Sequence, residues 1–389
     1  MRIGHYAPNI WGNGGIATYV RQLGAAQVED GHDVYHLDRQ DDPVEPTSAS
    51  HVVVTSASAL VDATAHLSLD VLHLHKPVES LPATTPCVRT MHGNQGSCPS
   101  GTRFLARSQS ACDRTYSVPG CLWGHLVDGC GSRRPHNLAA HFRRFHTERD
   151  MATQLPTMTV SRFLYNQMIQ AGIPERRLHV VLSPAPVVTT PAPPVPTTPR
   201  FLFLGRIVPE KGLSWLLRAL AQTSEDIALD VAGTGDALDD AQALATRLGI
   251  AHRVTFHGWV PPEEVTTLLH QSRAVVFPSL WHEPAGLVTL EAAAHGRAVI
   301  ASRVGGIPEY AHPDFSLLVN PNDVDGLAAA LTRLADNHSL ATDMGRNGRA
   351  RVRKQHAVAP FLDQVYAVYE KAGANIAPTP LSPPVPSHP

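Results

Sequence analysis

Between Ala274 and Ala301 the chain changes its hydrophobic period twice, and that change limits the folds open to it. Ala274 to Phe277 is a short apolar run that Pro278 stops; Leu287, Leu290, Ala293 and Ala294 then recur at helical spacing, and Ala298 to Ala301 is apolar again. Strand, loop, helix, strand is the unit from which parallel sheets are built, because neighbouring strands running the same way need a crossover. The loop of this unit holds Glu283, Pro284 and Gly286. The pattern predicts a helix starting near Gly286, with its first N–H groups unpaired and its positive end facing the loop, a geometry that binds anions.

Glu283 and Glu291 stand eight positions apart, roughly 12 Å if the span were helical throughout. Two carboxylates working on one glycosidic bond sit about 5–9 Å apart, so this pair reads instead as holding two ends of one long ligand. A nucleotide-sugar fits: one carboxylate accepts sugar hydroxyls, the other ribose hydroxyls, and the diphosphate lies on the helix end between them. A lone Glu on a surface helix is ordinarily structural. Here it has company in Arg206, Lys211, Gly305 and Gly306. Phe201 to Leu204 is a strand, Gly205 to Gly212 a loop carrying Arg206 and Lys211, and Leu213 to Ala221 a helix; two cations on such a loop can neutralise a departing diphosphate.

The N-terminal half opens as a second strand–helix–strand unit, with strands at Arg2–Tyr6 and Val34–Leu37 and a helix over Ile16–Val28. Gly12, Gly14 and Ala17, with Asp38 further on, nominally satisfy a dinucleotide-binding fingerprint. Four residues, Pro8 to Trp11, separate the strand from its first glycine, however, and this longer loop suits a cleft better than a nicotinamide site. Gly14 and Gly15 leave backbone N–H groups open to an anion, whereas Gly12 reads as a tight turn. Further strands are expected at Val52–Thr55, Val71–His75 and Cys87–Met91. His73 and His75 alternate along one of them and read as packed side chains; His92 sits where a parallel strand ends, the edge at which open α/β sheets bind ligands.

HEPAGLVTLEAAAHGRAVIASRVGGIPE resembles the E-x7-E signature of glycosyltransferase family 4, and FLGRIVPEKGLSWLLRAL resembles that family's upstream phosphate-binding segment. GGIATYV, MHG and TVSRFL extend the likeness more loosely into the first half. The resemblance implies the GT-B fold: two doubly wound parallel-sheet, Rossmann-like α/β domains facing across a cleft. It also implies retaining transfer of a sugar, of hexosyl type, from a UDP- or GDP-sugar to a hydroxyl acceptor (a saccharide, lipid-linked or small molecule), with no cofactor required. On this reading Gly14, Gly15, Arg206, Lys211, Gly286 and Leu287 hold the donor diphosphate, His92 and Glu283 are the catalytic residues that orient the sugar, and Glu291 binds ribose. A nucleotide-sugar hydrolase or epimerase on the same scaffold, a nicotinamide-dependent oxidoreductase and a non-catalytic binding protein remain the alternatives.

Domain boundaries are expected as 1–183 for the acceptor-side domain, 184–199 for a stiff extended linker with seven prolines, 200–357 for the donor domain, 358–374 for a terminal helix and 375–389 for a disordered tail. Residues 94–150 break the regular alternation. Cys98, Cys112, Cys121 and Cys130 lie there with 13, 8 and 8 residues between them and no C-x2-C pair; a structural zinc and plain buried thiols both stay open, the thiols slightly ahead. The basic run from Arg133 to Arg149 reads as a solvated face or as a patch for anionic lipid. Asp323-Val324-Asp325 precedes a periodic helix and reads as an N-cap rather than a metal motif. A formal charge of −2 over 389 residues gives nucleic-acid binding no support. Without an apolar run of transmembrane length or a signal-peptide layout, the expected location is cytoplasmic, with peripheral contact at the inner membrane face.

Overall fold

The computed structural model describes residues 1–12, 14–39 and 49–374; the expected disordered tail lies outside them. The apolar runs assemble into two parallel sheets. In the first, β1 (Arg2–Tyr6), β2 (Asp33–Asp38), β3 (Ser50–Val53), β4 (Val71–Leu74), β5 (Cys87–Met91), β6 (Thr157–Thr159) and β7 (Leu178–Val180) follow the order β3-β2-β1-β4-β5-β6-β7. In the second, β8 (Arg200–Leu204), β9 (Ala228–Ala232), β10 (Val254–Gly258), β11 (Ala274–Phe277), β12 (Ala298–Ser302) and β13 (Ser316–Val319) follow β10-β9-β8-β11-β12-β13. Both are doubly wound, as expected. Every residue of β4, β5, β11 and β12 is buried, because helices cover both faces of the sheet.

The strand order reverses beside β8, which pairs with β9 on one side and with β11 on the other, Phe201 lying opposite Ala274. Loops leaving the carboxyl ends of β8 and β11 therefore diverge and open a crevice, the place where sheets of this kind bind ligands. These are the loops that carry Arg206, Lys211 and Glu283. They are pinned to each other: the Leu280 N–H donates to the Glu210 carbonyl at 2.8 Å, and a Cβ on Gly212 would lie 1.9 Å from the Pro278 carbonyl oxygen. Gly212, at φ +73°, is what lets them touch.

The proline-rich segment 184–199 forms no regular element, but it is not a free spacer. Prolines keep their carbonyls while lacking N–H donors, and buried arginines of the second unit claim those acceptors. Arg273 donates to the carbonyls of Pro196 and Thr197, Arg297 to those of Pro193 and Pro194, and Arg349 to those of Val188 and Thr190. Arg273 and Arg297 are 1% and 0% exposed. The run is thus strapped to the second unit. The helix Val358–Lys371 returns to the first, burying Phe361, Val365, Val368 and Tyr369 in the cluster that contains Ile3, Val20 and Leu23.

The irregular segment after β5 contains a two-stranded hairpin, Phe104–Leu105 with Ser110–Ala111, a short helix Val118–Trp123 that runs into a π-helical turn at Gly124–Asp128, and a long helix Pro135–Gln154. A buried ion pair between Arg89 of β5 and Glu148 anchors that helix. Asp323 caps the helix Val324–Asp336, its carboxylate accepting the Gly326 N–H at 2.8 Å, as its spacing suggested.

Candidate functional site

The helix Leu287–Ala294 starts where the sequence placed it, with Gly286 at its N-cap. Its Glu291 and Val288 line a cleft of about 470 Å3 together with Gly14, Arg206, Gly233, Trp259 and Val260, within the size range of small-ligand sites. Gly14 comes from the first unit and the rest from the second, so the cleft lies between them. Arg206 and Glu291 have no ion pair or side-chain hydrogen bond among the described residues, and burial raises the Glu291 carboxyl above the usual carboxylate range. Two opposite charges without protein partners on one cleft are available to a ligand.

The two cations of the Gly205–Gly212 loop, expected to act together, separate in the structure. Arg206 faces the cleft, whereas the Lys211 ammonium bonds Glu283 Oε1 at 2.5 Å and lies 5.6 and 5.5 Å from the ring centroids of Phe277 and Trp281. Ser279 Oγ donates to the same Glu283 oxygen at 2.5 Å. Glu283 is therefore held rigidly, with its other oxygen left over. The glycines behind it are equally constrained: a Cβ on Gly305, at φ +59°, would lie 2.4 Å from the Glu283 carbonyl oxygen, and one on Gly306 would lie 2.5 Å from that of Pro284 and 3.0 Å from Ser161 Cβ of the first unit.

Gly14, at φ +146°, and Gly15 have open space where a Cβ would stand, which leaves the start of the helix Gly15–Glu29 accessible. Gly12 packs on the Asn9 side chain, as a tight turn would. Asp38, the carboxylate of the nominal dinucleotide fingerprint, accepts the N–H groups of Asn9 and Ile10, both at 2.6 Å. It fixes the Pro8–Trp11 loop instead of presenting itself to a ribose.

His92 directly follows β5 but does not line the cleft. Its Nε2 meets Nδ1 of His75 at 2.9 Å, and His75 Nε2 meets Nδ1 of His5 at 3.1 Å; His5 Nε2 continues to the Gln27 amide oxygen at 2.6 Å. Burial, with Lys76 and Arg89 nearby, lowers the His92 imidazole to about 3, so the ring is neutral at physiological pH. His73, read as a packed side chain, bonds Tyr369 and Thr90 in the same buried set.

Residues 191–351 match the family described as "Glycosyl transferases group 1". The chain is 30% identical to an uncharacterized glycosyltransferase, YqgM, of Bacillus subtilis over 246 residues, covering 61% of this chain and 68% of that one. The chain belongs to the group 1 glycosyltransferases. This glycosyltransferase is also 36% identical to the MMP alpha-(1->4)-mannosyltransferase of Mycolicibacterium hassiacum over 174 residues, 44% of this chain but only 42% of that one, so the match spans less than half of that relative. Its fold is that of Anabaena HepE, solved with UDP and glucose, at a TM-score of 0.70 and 17% identity over 95% of this chain and all of that one. The two parallel-sheet units are a GT-B fold.

Several contacts between the glycosyltransferase's two units escaped the sequence. Glu309 caps the helix Arg162–Gln170 of the opposite unit, its two oxygens accepting the N–H groups of Arg162 and Phe163 at 2.6 and 2.7 Å. Tyr310 donates to the Val160 carbonyl and accepts from the Ser183 N–H. Asn94 Nδ2 donates to the His282 carbonyl at 2.9 Å, which ties the loop after His92 to the residue before Glu283. The His282 ring lies on Phe163 and bonds Asp113 of the irregular segment at 2.8 Å. Only Glu309 had a local signal, its place at the end of the GGIPE turn.

Proposed function

We propose that the chain transfers a hexosyl group, with retention at the anomeric carbon, from a UDP- or GDP-sugar to a hydroxyl of a saccharide, lipid-linked or small-molecule acceptor, as its resemblance to glycosyltransferase family 4 implies. The observation that carries this is the unpartnered pair Arg206 and Glu291 on one interunit cleft, with the amide-bearing Gly14 turn opposite. The nucleobase lies against Trp259 and Val260, the ribose hydroxyls donate to Glu291, and the diphosphate lies between Arg206, the Gly14-Gly15 turn and the Gly286-Leu287 amides. The sugar reaches toward Glu283, held by Lys211 and Ser279, and toward His92. HepE, solved with UDP and glucose, lends the donor class support.

In this reaction the bond between the sugar C1 and the β-phosphate oxygen breaks, and its electron pair leaves with the nucleoside diphosphate. The acceptor oxygen bonds C1 on the same face, and its proton passes to the departing phosphate. Arg206 and the helix-end amides stabilise the charge that grows there. Neutral His92 offers the sugar a hydrogen bond without adding charge. The arginines from Arg133 to Arg149 would draw a lipid-linked acceptor to an anionic surface; no described helix is long and apolar enough to cross a membrane.

A thermal-shift panel of nucleotide-sugars followed by product analysis tests the reading. A ligand at 100-fold its Kd stabilises by about 2.7 kcal/mol. Glu291→Ala should weaken nucleotide binding, whereas Glu283→Gln should retain it and lose about 100- to 1000-fold in transfer. Identical behaviour of both variants, or equal turnover without an acceptor, refutes the assignment.

A further inference from the structure

The four cysteines of the irregular segment, scattered in sequence, come to one place in the fold; among the described residues no three of their sulfurs lie within 4.8 Å of one another, as ligand atoms of His5, His73 and His75 do, so they must draw inward to hold an ion. Cys98, Cys112, Cys121 and Cys130 all line one small void of about 20 Å3, and none forms a disulfide. That volume suits a single water or ion. Each cysteine is brought there by a separate backbone device: the N–H of Cys98 donates to the Asn94 carbonyl, that of Cys112 to Arg103 across the hairpin, that of Cys121 to Ser117 at the start of its short helix, and that of Cys130 to Gly124 after the π-helical turn.

Two further groups on the void lack partners for buried atoms. Arg103 is 3% exposed with its Nε unpaired, and it holds φ +46°, a left-handed backbone uncommon outside glycine. His125 is 1% exposed; its Nδ1 bonds the Ser132 carbonyl, and its Nε2 has no partner. The segment also lacks a core of its own. Among described residues 93–134, Phe104 is the one fully buried hydrophobic side chain, and it belongs to the core of the second unit. A stretch with so little apolar burial needs a cross-link to hold one shape.

We propose that this void is a structural zinc site in which the thiolates of Cys98, Cys112, Cys121 and Cys130 close around one ion. Four soft sulfur ligands select zinc or an iron–sulfur cluster, and the size of the void favours the single ion. Four thiolates on one Zn2+ carry a net charge of −2, and the Arg103 guanidinium on the same void opposes it, whereas Arg114 is already paired with Asp128 at 2.6 Å. The ion fixes the loop on which Asp113, next to Cys112, reaches His282, the residue before Glu283. The site lies outside the donor cleft, so its presence does not depend on which sugar is moved.

The test uses the full chain, untagged and purified without chelator, with metal content, thiol titration and cobalt exchange as readouts. The expected result is one zinc per chain, released as a mercurial caps the four thiolates, and, in a separate sample, four thiols that react with a disulfide reagent only after a chelator removes the metal. Cobalt exchange should give intense thiolate-to-cobalt charge-transfer bands with tetrahedral d–d bands. Cys112→Ser with Cys130→Ser should abolish binding, while Cys87→Ser, outside the segment, should retain it. Should the double variant fail to fold, zinc removal from the wild-type chain and its return, followed by the cobalt spectrum, give the same answer. Four freely reactive thiols with zinc far below stoichiometry, a disulfide by mass spectrometry, or iron with acid-labile sulfide would each overturn the proposal.

Discussion

Replacing Lys211 with Met removes the cation from a pair that the fold has nearly enclosed. The N–O distance is 2.5 Å and the side chains of Lys211 and Glu283 are 16% and 7% exposed. In that regime losing one partner costs about 3–5 kcal/mol, because the remaining charge stays buried and unpaired. Ser279 still donates to the same carboxylate oxygen, so Lys211→Met should fall at the lower end, about 3 kcal/mol. For a unit of this size each kcal/mol lowers Tm by about 2–4 °C, giving about 6–12 °C in the calorimetric transition of the second unit. Glu283→Gln keeps an acceptor for Ser279 and should cost less, about 1–2 kcal/mol. The double variant should then be at least about 1 kcal/mol more stable than the sum of the singles predicts. Scanning calorimetry and urea unfolding at neutral pH measure all three. A loss below about 0.5 kcal/mol for Lys211→Met, or strict additivity, would show that the pair is solvent-screened and that Glu283 is positioned by something else.

Gly15→Ala has open space for its methyl group and lies in the first turn of a helix, so stability should stay within about 0.5 kcal/mol while nucleotide affinity falls; unchanged affinity would remove the Gly14-Gly15 turn from the diphosphate site. Glu309→Gln takes the charge from the cap of the helix Arg162–Gln170 and should cost about 0.5–2 kcal/mol, read as faster hydrogen exchange at Arg162 and Phe163; unchanged exchange there would deny the cap its role. The buried histidines give stability a pH dependence of known sign. His5 is lowered to about 4 and His36 and His92 to about 3, chiefly by burial; below about pH 6.5 the unfolded chain takes up protons that the fold refuses. Their contribution is therefore full above that pH and lost as pH falls toward 4, with each histidine adding about 1.4 kcal/mol per pH unit. Tm measured from pH 7 to 4 in wild type and in His5→Gln should show the shallower fall in the variant, and equal slopes would contradict the assignment.

The strands and the loop glycines were legible because they follow from local causes. An apolar period marks β8 and β11 wherever the rest of the chain goes, and Pro278 ends β11 by its own chemistry. What the local pattern does not carry is the choice of partner. Lys211 and Glu283 were both singled out, yet nothing in either spacing says that they bond each other across 72 positions and leave Arg206 alone on the cleft. Glu309 meets Arg162 across 147 positions, and the carbonyls of the proline-rich run meet Arg273 and Arg297 across more than seventy. Composition predicts that such a run is extended, but says nothing of which buried guanidinium groups need acceptors. Of the four charges singled out, Lys211 and Glu283, which bond each other, were thus the hardest to assign from sequence, whereas the suggested role of Arg206 and Glu291 needs no protein contact to explain it. That asymmetry makes the cleft of Arg206 and Glu291, though assembled from both units, the most readable part of the chain, and the segment between His92 and Arg149 the least: its contacts to the second unit include Asn94, Phe104, Gln109 and Asp113, none of which has a periodic neighbour to announce it.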